Sequence, residues 1–385
     1  MGEVFQSKVR DLSLEGLGVL DHSDGRIAFV QGAWPGDEIE YEIIREKKNY
    51  LFVKLRQLLK ASSERVQADC PHQGSEMGEC GGCPWMIAEY SAQLQWKQEI
   101  VKRTLERALE EDLGEKLKDI WPSPKILGYR NRAQFKTDGT RIGFLSPGSH
   151  ELAAIEDCLV LSDKNRGHLR NLRAMLPNSS WNPTPPNRWN FFEIDDELEN
   201  VEDLSINTRR EFRQGNTDQN KRMQEWLVEK LSRFPKESEI FELFCGRGNF
   251  TEVISKLDFR NILAVEASEA AVESLNSQQF TGVKALAFDI YNKSNWKRLK
   301  KIYPEPKILI LDPPRLGFGA IRHFVTAFPS IEKIFYISCH LKHFARDVLA
   351  LKKVGWSLKE VQPLDQFPHT VHIELLSVFS RDFGG

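Results

Sequence analysis

Cys339 and Glu374 are the two residues whose chemistry demands most of the chain around them. Cys339 closes the apolar run Phe335-Tyr336-Ile337-Ser338, which reads as a buried strand releasing a thiol at its end. A thiolate there can add to carbon 6 of a pyrimidine ring. Carbon 5, otherwise a poor nucleophile, then gains enolate character and can attack a methyl sulfonium. The hydrogen on carbon 5 must leave before the sulfur departs, which calls for a base. Glu374, in Phe367-Pro368-His369-Thr370-Val371-His372-Ile373-Glu374, opens the last apolar run. It meets Cys339 only if that last strand runs antiparallel to its neighbours. An isolated Cys is more often a small packed residue, so the pair needs support from its surroundings. His369, His372 and Cys245 are read as structural.

That support comes from a second set of residues. Phe241-Glu242-Leu243-Phe244-Cys245-Gly246-Arg247-Gly248-Asn249-Phe250 is an apolar strand entering a glycine turn. Gly246 and Gly248 let a ligand approach the backbone closely. Glu266 ends the next strand about twenty residues later, where an acid suits ribose hydroxyls. Asp289 closes the third strand at the same edge. NAD fits the first two features equally well. Asp312-Pro313-Pro314-Arg315, ending the run Ile308–Leu311, resembles the fourth motif of methyltransferases and points to S-adenosylmethionine. Enzymes that methylate amino groups follow that motif with an aromatic residue, and Arg315 in its place argues against adenine or cytosine amino methylation.

Cys70, Cys80 and Cys83 have C-x9-C-x2-C spacing, with Cys158 as a fourth candidate ligand. Four thiolates suit tetrahedral zinc or an iron–sulfur cluster, and spacing alone leaves zinc slightly ahead.

The elements that must position these groups fall into three parts. Residues 1–62 read as short strands (Lys8–Leu12, Arg26–Val30, Asp37–Ile44 and Tyr50–Leu58), a small β-barrel. Residues 63–205 form a central α+β part with the cysteines, a helix from about Tyr90 and another near 161–176. Residues 206–385 alternate strands with helices, starting from a helix capped by Asn216 or Thr217. Its strands are Glu239–Phe244, Asn261–Val265, Lys284–Phe288, Lys307–Leu311, Lys333–Ile337 and Ile373–Phe379, the pattern of a parallel Rossmann-like α/β sheet. Net charge is −2, which argues against nonspecific coating of nucleic acid but averages over local patches. Such a patch is the basic edge Arg45, Lys47 and Lys48, with Tyr50 and Phe52 beside it. Arg130 and Arg132 are further candidates for an RNA backbone. No apolar run is long enough to span a membrane, and Met1-Gly2-Glu3-Val4-Phe5 lacks the pattern of a secretory signal, so a cytoplasmic protein is expected.

These motifs together resemble the RNA 5-methyluridine methyltransferases, in particular the ribosomal members that carry a TRAM domain and an iron–sulfur cluster. Phe212–Asn216, Glu242–Thr251, Asp312–Gly317, Tyr336–Asp347 and Phe367–Glu374 carry the resemblance, and Tyr129-Arg130-Asn131-Arg132 extends it towards the N-terminus. It implies Cys339 as nucleophile and Glu374 as base. It also implies that Gln214, Phe244, Asn249, Glu266, Asp289 and Asp312 line the cofactor and base pocket. The Cys-Gly-Gly-Cys-Pro context shifts the metal expectation from zinc to a 4Fe–4S cluster. A monomer acting on 23S rRNA is expected, with transfer RNA as the alternative substrate and a catalytically idle RNA-binding protein as the alternative class. Cytosine-5 enzymes usually carry a further Cys after a Pro in the fourth motif, and Pro313-Pro314-Arg315 offers none. One departure stands out: the family usually has Ser-Cys-Asn-Pro at the nucleophile, where this chain has Ser338-Cys339-His340-Leu341.

Overall fold

A computed structural model describes residues 3–210 and 212–381; Met1-Gly2, where the stretch read for a signal begins, lie outside the described residues. The backbone divides into two compact units, neither continuous in sequence. The first takes Met1–Ile100, Ser123–Asp218 and Gln366–Val371, and the second takes Val101–Pro122, Gln219–Asp365 and His372–Gly385.

The first unit opens with β1 (Val4–Lys8), β2 (Asp11–Leu12), β3 (Gly18–Asp21), β4 (Ile27–Val30), β5 (Glu38–Glu46) and β6 (Tyr50–Lys60). They form one sheet of order β1-β5-β6-β4-β3-β2. Ile39 and Tyr41 of β5 turn inward between Glu38, Glu40 and Glu42, and Leu51 and Val53 of β6 turn inward between the half-buried Tyr50, Phe52 and Lys54, the period-two pattern of a half-buried sheet. The run expected as a single strand, Lys8–Leu12, breaks in the middle. Val9 N–H donates to Asp37 O (2.8 Å) and Arg10 N–H to Val19 O (2.8 Å), so the chain crosses from one edge of the sheet to the other and curls it. Helix α1 (Tyr90–Leu109) begins in this unit. A second sheet, of order β10-β7-β8-β9, is built from β7 (Arg132–Thr137), β8 (Ile142–Leu145), β9 (Leu152–Ala154) and β10 (Asn190–Asp195). Helix α2 (Asp163–Ala174) is capped by Ser162, whose hydroxyl accepts from Asn165 N–H (3.2 Å), and buries His168, Leu169 and Leu172.

The second unit holds most of α3 (Thr217–Leu231), then β11 (Ile240–Leu243), α4 (Thr251–Ser255), β12 (Ile262–Glu266), α5 (Glu269–Ser277), β13 (Val283–Ala287) and α6 (Lys293–Ile302). β14 (Ile308–Leu311), α7 (Ile321–Ala327), β15 (Lys333–Ser338), α8 (Leu341–Lys352), β16 (Trp356–Leu364) and β17 (Glu374–Arg381) complete it. The sheet order is β13-β12-β11-β14-β15-β17-β16, with the first five strands parallel and β17 antiparallel to both neighbours. Alternate residues pack on opposite faces. Phe241, Leu309, Leu311 and Tyr336 meet Val101 and Leu105 of α1, whereas Ile240, Ile308, Ile310 and Ile337 meet Met223, Trp226 and Leu227 of α3.

Each strand expected in this half is present to within two residues. The sequence pattern missed β16: a register shift between Leu358 and Glu360 interrupts its alternation, and Pro363 reads against a strand. Among the described residues no helix is long and apolar enough to cross a membrane.

Candidate active site

β11 delivers the chain into a turn that only certain residues tolerate. Phe244, Gly246 and Gly248 all have positive φ, at 64°, 54° and 95°. A Cβ on Gly248 would stand 2.5 Å from Leu275 Cδ1, so the turn closes tightly over α5. Gly246 N–H donates to Glu266 Oε2 (3.1 Å), while Ala267 N–H and Ser268 N–H donate to Oε1 (2.7 and 3.1 Å). A carboxylate has about four acceptor sites, so Glu266 is held rigidly with room for one more donor such as a sugar hydroxyl.

Asp289 is exposed at the end of β13, and its Oδ1 accepts from Tyr291 N–H (2.9 Å). Tyr291 stands against Phe244 (5.8 Å between ring centroids) and Phe318 (5.8 Å), and its hydroxyl donates to Gly317 O (3.0 Å). Of these rings Phe244 was expected at the pocket, whereas Tyr291 and Phe318 escaped the sequence reading although both adjoin motifs that were singled out. Asn249 exchanges two amide hydrogen bonds with Asn220 of α3, and Gln224 donates to its carbonyl (2.8 Å). Asn249 therefore fixes the turn to α3, and Asn220 and Gln224 are additions to the candidate set. Gln214 belongs to the first unit, where its Oε1 accepts from Gln366 Nε2 (3.2 Å).

The β15/β17 register pairs Ser338 with Leu375, and the next residues outward are Cys339 and Glu374. Glu374 is buried; burial pushes its carboxyl well above the usual range, the Asp312 charge adds to this, and Arg315 opposes it. Burial alone lifts Asp312 to about 7. The half-buried Cys339 thiol is pushed up to about 12 by burial, then by Glu374 and Asp312, with Arg315 pulling the other way. Asp312, Arg315, Cys339 and Glu374 thus share one electrostatic field at the sheet's carboxyl edge. Beneath the glycine turn lies Glu242, buried, accepting from Thr251 Oγ1 (2.6 Å) and lifted to about 8, chiefly by burial. Asp347 of α8 ties the surroundings together: it accepts from Tyr336 Oη and from Phe318 N–H, both at 2.7 Å. His369, by contrast, packs in the first unit, where its N–H donates to Gln93 Oε1 (2.9 Å).

Cys70, Cys80, Cys83 and Cys158 are free thiols in the first unit. The charge of Cys158 acts on Cys83, that of Cys80 on both, and Arg130 offsets the effect. Cys158 is lifted to about 11, mainly by burial. Gly81 cannot carry a side chain, because a Cβ would lie 2.4 Å from Pro147 Cγ. The donor chemistry suits a thiophilic metal or cluster. Even so, among the described residues no group of three or more His, Cys, Asp or Glu is arranged to hold a metal ion.

The basic candidates divide. Arg45, Lys47 and Lys48 are exposed at the β5–β6 connection, with the Arg45 guanidinium 5.8 Å from the Phe52 ring centre. Arg130 turns its guanidinium to Arg132 O (3.0 Å) and the Phe367 ring (5.6 Å), and Arg132 pairs with Glu193.

A parallel sheet with an antiparallel seventh strand, a glycine turn after the first strand and an acid after the second define an S-adenosylmethionine-dependent methyltransferase. The tRNA (uracil-54, C5)-methyltransferase of Pyrococcus abyssi, solved with S-adenosyl-L-homocysteine, has this fold: TM-score 0.67 and 22% identity, covering 97% of this chain and all of that one. The chain belongs to the RNA (uracil-5-)-methyltransferase family, whose tRNA (uracil-5-)-methyltransferase profile matches residues 194–381. An uncharacterized RNA methyltransferase of Nitrosomonas europaea is 41% identical over 99% of this chain and 98% of its own. The 23S rRNA (uracil(1939)-C(5))-methyltransferase RlmD of Erwinia tasmaniensis is 29% identical over 97% of this chain and 95% of its own.

Proposed function

We propose that the chain methylates carbon 5 of a uridine in 23S rRNA, with Cys339 as nucleophile and Glu374 as base. The observation that carries this reading is the antiparallel register of β15 and β17, which brings the two residues to one edge beside Asp312 and Arg315. The sulfur of Cys339, having lost its proton to solvent, bonds to carbon 6 of the extruded base. S-adenosylmethionine supplies the electrophilic methyl group that carbon 5 takes up. Glu374, as carboxylate, removes the carbon 5 proton, and the carbon–sulfur bond breaks to regenerate Cys339. Glu266 holds the ribose of the cofactor and the aromatic wall of Phe244, Tyr291 and Phe318 flanks it. The choice of 23S rRNA is favoured by the RlmD relatives, which align over nearly the whole chain.

The first unit supplies the RNA surface in this reading. Residues 1–62 act as a TRAM-like barrel presenting Arg45, Lys47 and Lys48, and residues 63–205 form the central domain. Cys70, Cys80, Cys83 and Cys158 are the residues that would hold a 4Fe–4S cluster, which would brace the RNA-facing loops; their thiol chemistry, not their arrangement, supports this.

Transfer of labelled methyl groups to 23S rRNA and tRNA transcripts, followed by nucleoside digestion and mass spectrometry, tests the proposal. 5-Methyluridine in the rRNA is expected. The same product in tRNA alone moves the substrate, 5-methylcytidine overturns the base assignment, and no transfer to any RNA favours an idle RNA-binding protein.

A further inference from the structure

β7 buries Ala133, Phe135 and Thr137 and turns Arg132, Gln134 and Lys136 to the open face of the second sheet. Cations around that face are matched with acids: Arg132 pairs with Glu193, Arg210 with Asp195 and Arg213 with Glu197. Lys136 and Arg209 are the exceptions. Among the described residues neither has a carboxylate partner, and the charge of Arg209 acts on Lys136 with like sign.

The two are held where they stand. Lys136 lies opposite Phe191 in the β7/β10 register; its Nζ donates to Gln134 Oε1 (2.8 Å) and sits 4.8 Å from the centre of the Phe191 ring. The segment carrying Arg209 is pinned to that same phenylalanine. Asn207, at a left-handed φ of 60°, donates its N–H to Phe191 O (2.9 Å) and accepts from Phe191 N–H at Oδ1 (3.1 Å). Its Nδ2 donates to Asn190 Oδ1 (2.8 Å), and Arg210 is tied beyond it to Asp195 (2.6 Å). Arg209, between these anchors, is exposed, and Lys136 is half-buried, so both remain open to a ligand. Burial first, and then the Arg209 charge, lower the Lys136 ammonium from its usual range.

Two cations kept together without an anion repel each other, and a phosphate between them removes that cost. A guanidinium offers a fork of N–H donors to phosphate oxygens, and an ammonium adds a compact charge. We propose that Lys136 and Arg209 form a binding site for a backbone phosphate of the RNA, with Phe191 as the floor beneath the ammonium. The inference rests on the reading of RNA as substrate and adds a site apart from Arg45, Lys47 and Lys48.

The test is binding of a 23S rRNA transcript to the full chain, measured by filter retention over a series of salt concentrations. Each phosphate neutralised releases condensed counterions, so loss of the site lowers the slope of log K against log salt by about 1. Lys136→Gln combined with Arg209→Gln is expected to show that fall. It should also weaken binding about 10-fold and raise the KM for RNA equally, with kcat unchanged. Lys136→Arg keeps the charge and is expected to hold the wild-type slope. Lys256→Gln removes a cation already paired with Glu252 and is expected to leave the slope alone. A double variant with the wild-type slope and KM overturns the inference, as does an equal fall in Lys256→Gln. Should the double variant fold poorly, Arg209→Gln alone, at an exposed position, reads the same fall. Inorganic phosphate that binds the wild type and not the double variant, while RNA binds both equally, assigns the pair to the free anion and likewise overturns it. Wild-type protein that binds no RNA defeats the substrate reading, an outcome distinct from wild-type binding that the variants match.

Discussion

Asn220 and Asn249 exchange two amide hydrogen bonds, Nδ2 of each donating to Oδ1 of the other at 2.8 and 2.9 Å. The first lies in α3 and the second in the glycine turn, so the turn's shape is fixed from outside by a pair that neither segment reveals alone. At about 1 kcal/mol for each hydrogen bond, Asn220→Ala is expected to weaken S-adenosylmethionine binding about 5- to 30-fold. Titration calorimetry measures it, and an unchanged affinity would separate Asn249 from the shape of the turn.

Cys339→Ala is expected to abolish methyl transfer while cofactor binding persists. Glu374→Gln is expected to stop after methyl addition and leave protein bound covalently to RNA, visible as a slow-migrating band. A fully active Cys339→Ala protein would end the proposed mechanism.

The thiol responds to its charged neighbours with a definite sign. Glu374 and Asp312 raise it and Arg315 lowers it. At a fixed pH of about 9, Glu374→Gln and Asp312→Asn therefore alkylate faster with iodoacetamide, and Arg315→Ala more slowly. Mass spectrometry of the Cys339 peptide against time reads the order, and a reversed order would remove these groups from the thiol's surroundings.

Asp312 also couples the site to stability. Its carboxyl is raised to about 7 in the folded chain, so the folded state binds that proton more tightly than the unfolded one. The resulting stabilisation is complete below the unfolded value and is lost as pH rises through about 7. Asp312→Asn carries no such charge, so its Tm should gain on the wild type between pH 5 and pH 8, by at most about 4 kcal/mol in free energy. Activity falls in the same variant. A Tm difference that shrinks with rising pH would contradict the burial argument.

Much of this was legible in the chain because strands buried on both faces are written as apolar runs. Ile308–Leu311 and Phe335–Ser338 could be read as strands, and with them the edge at which Asp312 and Cys339 emerge. The meeting of Cys339 with Glu374 required only that β17 run antiparallel, and it does. What escaped depends on contacts rather than pattern. Tyr291 and Phe318 come together only through the folding of two separate loops, and β16 conceals itself behind a register shift. The contacts of Arg130, whose guanidinium donates to Arg132 O and lies over the Phe367 ring, are likewise set by the fold and follow from no spacing rule.

Glu242, Asp312 and Glu374 are three acids whose carboxyls withdrawal from water raises above the usual range. S-adenosylmethionine arrives with a cationic sulfur and departs, demethylated, with an uncharged one. Such a pocket is expected to give up hydrogen ions when the donor enters and to take them back before the spent molecule leaves, so alkaline conditions should favour loading and mild acidity release. Binding heats measured in buffers of differing ionisation enthalpy should show this exchange for the donor and not for its demethylated product.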